Sequence, residues 1–492
     1  MKRYKHNLSH YRMLTARMGL LYPAGLIEVL PGDTIQHATD CMVRLSPMAT
    51  PVMHDISVRV HHFFLPHRLA LLVYNGDYDW WEDFITGGPD GTDAKTIPTY
   101  TTGSQGKGLQ DFFGVPNVAG INVSLIPWIG FNHIWNEMYR DQDLGTERAL
   151  AANTLPKIGW EKDYFTTARP WLQKGAAVSL PLGDRAPVEG LGYDTSDVPT
   201  GAITNASTNV SDQTNTDYRQ GYVDVTDSDP DTPPFVYADL SNATGTDVNE
   251  LRRALALQRY QENRALYGSR YPEYLRYVFG ITPEDGRLNK PEFLGGGSTR
   301  VQISEVLQTG PETSVGGGTD FGVGDMYGHG LANMRGNAYR RHFTEHGYIH
   351  TMFSVRPRSV YTSGIPRHFL RQDREDFFQK EFQHIGQQEV KVNEIYADST
   401  NGDNVFGYQD RYREYREQPS QVAGEFRTSL NYWHMGREFA SEPTLNASFV
   451  ECDATDRIFN VSHSQADSLW VMLNHRCVAR RHVEPGGRNK II

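Results

Sequence analysis

The residues with the means to do chemistry in this chain are its histidines, its acid pairs and its glycine runs, and their spacing limits each. His61 and His62 are adjacent in an alternating stretch, so they point to opposite faces and cannot share a metal ion. His346 and His350 have the i, i+4 spacing of a zinc-binding helix, with Glu345 beside them. The order Glu-His-Gly-Tyr-Ile-His leaves the acid outside the pair, and the stretch reads as strand rather than helix. Residues 398–403 have a calcium-loop flavour without its ligand register or terminal Glu, and read as a polar turn. The glycine runs 295–297 and 316–318 lack the lysine of a phosphate loop and read as flexible backbone. No G-x-S-x-G elbow occurs. Glu82 and Asp83, next to Trp80 and Trp81, form the acid–aromatic grouping that lines some sugar-cleaving clefts. This grouping keeps a carbohydrate-active enzyme as the alternative reading. Otherwise no catalytic residue, metal site or cofactor is expected. Cys41, Cys452 and Cys477 are too far apart for a CxxC site and read as small buried hydrophobes.

The elements that would position such residues are mainly strands. In 56–64, Ile56, Val58 and Val60 alternate with Ser57, Arg59 and His61, the period of a half-buried antiparallel strand. Further strands are expected at 33–45, 347–355, 445–461 and 469–478. Two helices are expected: one at 129–140, the other starting at Asp247 with Glu250 three residues on and ending near Gly268. Strands at both ends with long irregular connections between them point to a sandwich or jelly roll with enlarged loops. No apolar run is long enough to cross a membrane, so no membrane insertion is expected.

Charge divides the chain. The 492 residues carry a net charge of −11. Residues 184–250 hold thirteen acids against Arg185 and Arg219, which is again −11, so the remainder is formally neutral. That stretch is poor in periodic apolar residues and reads either as a disordered linker or as a solvent-facing insertion. Lys2, Arg3, Lys5, Arg12 and Arg17 all precede the first acid, Glu28, while Arg476, Arg480, Arg481, Arg488 and Lys490 cluster at the other end. Basic ends on a neutral body with an acidic insertion suggest an inside and an outside, or else a DNA-binding module.

Short blocks recurring in order along the chain carry a family resemblance. They include the opening Met1-Lys2-Arg3, Val29-Leu30-Pro31-Gly32-Asp33-Thr34, and Val58-Arg59-Val60-His61-His62-Phe63-Phe64 with Pro66-His67-Arg68. Trp81 to Gly88, Phe293 to Thr299, Phe343 to Tyr348, Phe406-Gly407-Tyr408-Gln409 and Trp433-His434 continue them. Together they resemble the major capsid proteins of the gokushovirus branch of the Microviridae, small single-stranded-DNA bacteriophages. The resemblance implies an all-β, eight-stranded antiparallel jelly roll with long inserted loops and a few short helices. It also implies a non-enzymatic subunit, sixty copies of which form a T=1 icosahedral virion shell around circular single-stranded DNA. Other virion proteins and a host cell-surface receptor would be partners, and assembly would take place in the host bacterial cytoplasm. On this reading residues 1–183 form the N-terminal part of the jelly roll with a basic arm, and 184–250 a surface protrusion. Residues 251–342 supply a helix and glycine-rich inter-subunit loops, and 343–492 the C-terminal part with a basic tail. Lys2, Arg3, Lys5, Arg12 and Arg17 become candidate DNA contacts, with Tyr4 and Tyr11 available to stack on bases. Thr195, Asp212, Asp217, Asp224, Asp227, Asp229 and Asp231 become candidates for host attachment.

Overall fold

Alternation of apolar and polar residues builds two antiparallel sheets, each with one side turned to a shared core. The computed structural model describes residues 2–87, 95–104, 106–176, 248–267, 289–307, 326–335, 337–460 and 466–486, with a few isolated positions between them. The chain divides into two compact units, Met1–Leu172 with Ala265–Ile492, and Gln173–Arg264.

In the larger unit the strands are β1 (Tyr4–Asn7), β2 (His10–Ala16), β3 (Leu21–Val29), β4 (Thr34–Leu45) and β5 (Ile56–Pro66). Helices α1 (His67–Asn75), α2 (Trp80–Thr86), α3 (Leu109–Phe113) and α4 (Ile126–Met138) follow, with a small ribbon of β6 (Thr99–Thr101) and β7 (Asn122–Ser124) among them. The second unit holds the short pair β8 (Val188–Glu189) and β9 (Tyr237–Ala238) and most of α5 (Val248–Tyr267). Back in the larger unit come β10 (Glu292–Arg300), β11 (Gln302–Leu307), β12 (Met326–Met334), β13 (Tyr339–His342), β14 (Gly347–Pro357), β15 (Gln387–Lys391), β16 (Val405–Asp410) and β17 (Leu469–Arg481).

One sheet runs β1-β17-β4-β12-β11, with β2 continuing β1 along β17 and β13 continuing β12 along β4. The other runs β10-β5-β14-β3. Counting β1 with β2 and β12 with β13 as single ranks, the strands in chain order lie first–eighth–third–sixth in one sheet and second–seventh–fourth–fifth in the other. That wrapping is an eight-stranded jelly roll, and β11 is an extra edge strand made by a hairpin with β12.

Val43, Leu45, Val471 and Leu473 from the first sheet meet Val58, Val60, Phe353 and Val355 from the second. Burying each such side chain stabilises the fold by about 1.5–3 kcal/mol. The other side of the four-stranded sheet is also covered, by α1 and α4, through Leu69, Leu71, Trp128, Phe131 and Ile134 on Phe63, Leu65 and Met352. For this reason β14 is buried on both faces and shows little alternation. Helix α4 approaches closely at Gly130, where an added Cβ would lie 2.4 Å from the His350 ring.

Two expectations need correcting. The strand expected at 445–461 is not found over its described residues, 445–460: they form one helical turn, Ala447–Val450, and irregular chain beyond it. Asn446 caps that turn by accepting the Phe449 N–H at 3.0 Å, so local side-chain bonding outweighs the apolar content. Residues 295–297 are not a free connection but lie within β10, in register with β5. Gly296 is required there, since a Cβ would stand 2.7 Å from the Val60 carbonyl oxygen and from the His61 ring. Residues 316–318 and the proposed helix cap Asp247 lie outside the described residues.

Between the sheets sits a fully buried set of histidines, His37, His62 and His475. His37 Nε2 lies 3.2 Å from His475 Nδ1, Thr39 Oγ1 lies 2.9 Å from the same Nδ1, and His475 Nε2 meets the Ala24 carbonyl at 3.0 Å. His62 Nδ1 lies 3.0 Å from Thr351 Oγ1, and His10 stacks on His475 with ring centroids 4.7 Å apart. Burial, followed by repulsion from the neighbouring rings, pushes His37 down to about 2, His62 to about 3 and His475 to about 4. Above pH 6.5 these rings are neutral whether folded or unfolded and contribute no pH dependence. As pH falls from about 6.5 towards about 4, the unfolded chain takes up protons that the fold refuses, so stability drops. We expect a loss of about 1.4 kcal/mol per pH unit per histidine over that window, measured as the urea midpoint against pH. Replacing His62 by Gln should make that decline shallower; an unchanged slope would refute the account.

Candidate nucleic-acid interface

Among the described residues no element covers the face of the seven-stranded sheet turned away from the core, and alternation determines what it presents. In β17 the odd-numbered residues from Leu469 to Ala479 are buried, so Trp470, Met472, Asn474, Arg476 and Arg480 point outward. Register then brings distant residues alongside them. Met472 is flanked by Met13 of β2 and Met42 of β4, Trp470 by Thr15 and Arg44, and Asn474 by Tyr11 and Asp40. Arg480 pairs with Lys5 of β1, and Arg340 of β13 sits opposite Gln36 of β4. Tyr11 is 65% exposed, Met13 71%, Trp470 47% and Met472 39%, an unusual amount of bare aromatic and thioether surface. Around it stand five cations, Lys5, Arg44, Arg340, Arg476 and Arg480, against Asp40, which Arg476 binds at 3.0 Å. A positive, aromatic-studded surface of this kind suits a single-stranded nucleic acid: phosphates meet the cations and bases rest on the rings.

Of the five candidates read from the sequence, Lys5 lies on this face, and Lys2 and Arg3 are exposed at its edge, with the Lys2 ammonium 5.4 Å from the Tyr4 ring centre. Arg12 and Arg17 are engaged elsewhere. Arg12 is on the core side of β2 and donates to the Phe112 carbonyl, and burial lowers its pKa. Arg17 is bound to Asp467 at 3.0 Å. Arg44, Arg340, Trp470, Met13 and Met472 were not singled out by sequence reasoning; only the strand alternation of 469–478, combined with register, could have located them. The residues Thr195, Asp212, Asp217, Asp224, Asp227, Asp229 and Asp231 lie outside the described residues.

The acid–aromatic grouping is engaged in internal contacts. Trp80 and Trp81 both stack on Phe84 with centroids 5.5 Å apart, and Asp83 is tied to Lys95 at 2.5 Å. Glu345 is bound by Arg68 at 3.1 Å, and the His346 ring packs on Trp81.

Sequence comparison bears on the same question. The pattern of the family described as Capsid protein (F protein) matches residues 1–483. The chain belongs to this capsid protein family. Capsid protein VP1 of Bdellovibrio phage phiMH2K is 34% identical, over 91% of this chain and 88% of the relative. Capsid protein VP1 of Chlamydia phage 1 is 30% identical over 97% and 94%, and that of Spiroplasma virus 4 is 29% identical over 92% and 88%. All three are gokushoviruses, as the sequence resemblance had it. The protein is a structural capsid subunit of a virion, built to assemble into a multi-subunit shell, and not an enzyme.

The open face depends on β17 keeping its place in the sheet, and a buried ion pair ties its end to the turn between β3 and β4. Arg481 reaches Asp33 at 2.8 Å, where the carboxylate is fully buried and also accepts the Leu30 N–H at 3.1 Å. Replacing Asp33 by Ala leaves the guanidinium uncompensated and should cost about 3–5 kcal/mol, read as a lower denaturation midpoint. A loss below about 1 kcal/mol would put the pair in the class of exposed surface bridges.

Proposed function

We propose that the subunit assembles in sixty copies into a T=1 icosahedral shell, with the open face of the seven-stranded sheet lining the inside against packaged circular single-stranded DNA. The observation that carries this reading is the composition of that face, five cations to one acid around exposed Tyr11, Trp470, Met13 and Met472. Contacts of this sort are independent of sequence, sensitive to salt, and summed over many copies. The acidic stretch 184–250 is the counterpart: a like-charged surface repels polynucleotide, so it belongs on the outside, where it would meet a host cell-surface receptor. Other virion proteins would share the shell, and assembly would take place in the host bacterial cytoplasm.

Replacing Lys5 and Arg480 together by Gln should lower the salt dependence of DNA retention by about 0.7 in log–log slope per phosphate contact removed, with empty shells still forming. Trp470→Ala should weaken binding of an oligodeoxynucleotide by about 1–3 kcal/mol and leave the salt slope unchanged, since stacking releases no counterions. Filter binding across a salt series separates the two, and wild-type behaviour of both variants would remove the face from DNA packaging. Deleting residues 195–231 should leave shells assembling while adsorption to host cells falls. Failure of assembly would show instead that this stretch builds the shell.

A further inference from the structure

On the opposite side of the sandwich, against the outer face of the four-stranded sheet, lies a cavity of about 780 Å³, within the size range of small-molecule sites. Its wall includes Arg59 and His61 from β5, Arg356 from β14, Tyr139 just after α4, and Trp160 and Lys162 from the following segment. Register puts the β-strand groups on one face: Arg59 stands opposite Ser354, and Arg356 opposite Ser57. The sheet therefore aims two neighbouring guanidinium groups at the same space.

Their charge is incompletely answered. Arg59 reaches Glu161 at 2.8 Å, a half-exposed carboxylate. Arg356 donates to the Gly159 carbonyl at 2.8 Å and, among the described residues, forms no ion pair, the Glu161 carboxylate acting on it only at longer range. Burial and then Arg59 lower the Arg356 pKa, while burial, Arg59 and Arg356 push His61 down to about 4, so the imidazole stays neutral beside the Tyr139 hydroxyl at 2.8 Å. The other acids of the wall have cations of their own: Asp141 has Lys162 at 2.6 Å, Asp143 has Arg169 at 3.1 Å, and Glu147 has Arg140 at 3.0 Å, leaving Glu451. The Nε of Arg59, the Nε of Arg356 and the indole N–H of Trp160 are buried without a hydrogen-bond partner. These three atoms lie behind the wall, so what the cavity meets is the rest of the two guanidiniums, whose charge is incompletely compensated and leaves a place short of an anion.

We propose that this cavity binds a phosphate group, with Arg59 and Arg356 as its principal ligands. Paired guanidiniums match the bidentate geometry of phosphate oxygens. The volume exceeds what a bare ion needs and accommodates a nucleoside monophosphate. The site is on the far side of the sandwich from the basic sheet face, so it does not rest on the DNA-lining reading.

Thymidine monophosphate, inorganic phosphate and a short oligothymidylate are to be titrated into assembled shells at constant ionic strength. Oligothymidylate binding left unchanged by Arg59→Gln, while binding of thymidine monophosphate and inorganic phosphate falls, marks a site for a free phosphate monoester; oligothymidylate binding that Arg59→Gln also weakens marks the packaged strand as the phosphate source. Arg59→Gln and Arg356→Gln should each weaken monophosphate binding at least tenfold, whereas the Lys5→Gln, Arg480→Gln pair should leave it unchanged. Equal affinity in the arginine variants, or phosphate binding no tighter than chloride, overturns the proposal. If the arginine variants do not assemble, phenylglyoxal labelling of wild-type shells decides: phosphate must protect Arg59 and Arg356 selectively, and the absence of protection overturns it equally.

Discussion

The fold depends on one strand finding its place between partners from the other end of the chain. β17 pairs with β4 along its whole length from Leu469 to Arg480, and on its other edge with β2 and then β1. Until it arrives, the first sheet lacks its middle, and Val43 and Leu45 have no sheet of full width to cover Val58 and Val60. Loop closure over such a separation is entropically costly, but the cost rises only slowly with loop length. The two largest excursions, between β5 and β10 and between β14 and β17, are therefore affordable, whereas a mispaired β17 is not. The Asp33–Arg481 pair at the end of this ladder adds register to adhesion, because a slip by one residue would bury the wrong face of β17.

The same strand explains why the sandwich is asymmetric. The four-stranded sheet is covered on both sides, and its outer cover of Trp128, Phe131 and Ile134 belongs to the first long excursion. The seven-stranded sheet receives no such cover among the described residues, and its outward positions are neither ordinary polar surface nor core. Met13, Met42 and Met472 in one row, with Trp470 and Tyr11 diagonal to it, would be a liability on an isolated monomer. In a capsid subunit the liability has a use, since the shell confines that surface to whatever it encloses or abuts.

These constraints also decide what could be read from residues alone. The strand at 469–478 was legible because it has one wet face, the strand at 56–64 because Ser57, Arg59 and His61 keep a polar, half-buried face, and the helix at 129–140 because its apolar content is so high that any frame would bury it. The jelly-roll order came from family resemblance; alternation finds strands but not their neighbours. The segment 445–461 misled because Phe449 and Val450 are buried from a single helical turn and Ile458 from irregular backbone, neither of which has a strand's period. The glycines 295–297 misled because close approach to Val60 and His61, rather than flexibility, is what requires them.

The candidate interface shows the same limit at finer scale. A basic start to the chain was visible, but five cations in a row look alike until pairing separates them. Lys5 falls opposite Arg480 on the open side, Arg12 falls opposite Leu473 on the core side, and Arg17 falls beside Asp467. Two residues of shift along a strand keep a face and one residue reverses it, so Lys5 and Arg12, an odd number of positions apart, are sent to opposite sides in this arrangement. Arg44 and Arg340, nearly three hundred residues apart, reach the same surface only because Arg44 is on β4 beside β17 and β13 pairs with the other edge of β4. The chemistry of the face thus belongs to the ladder and not to any segment, and a sequence read segment by segment sees its parts without seeing the surface.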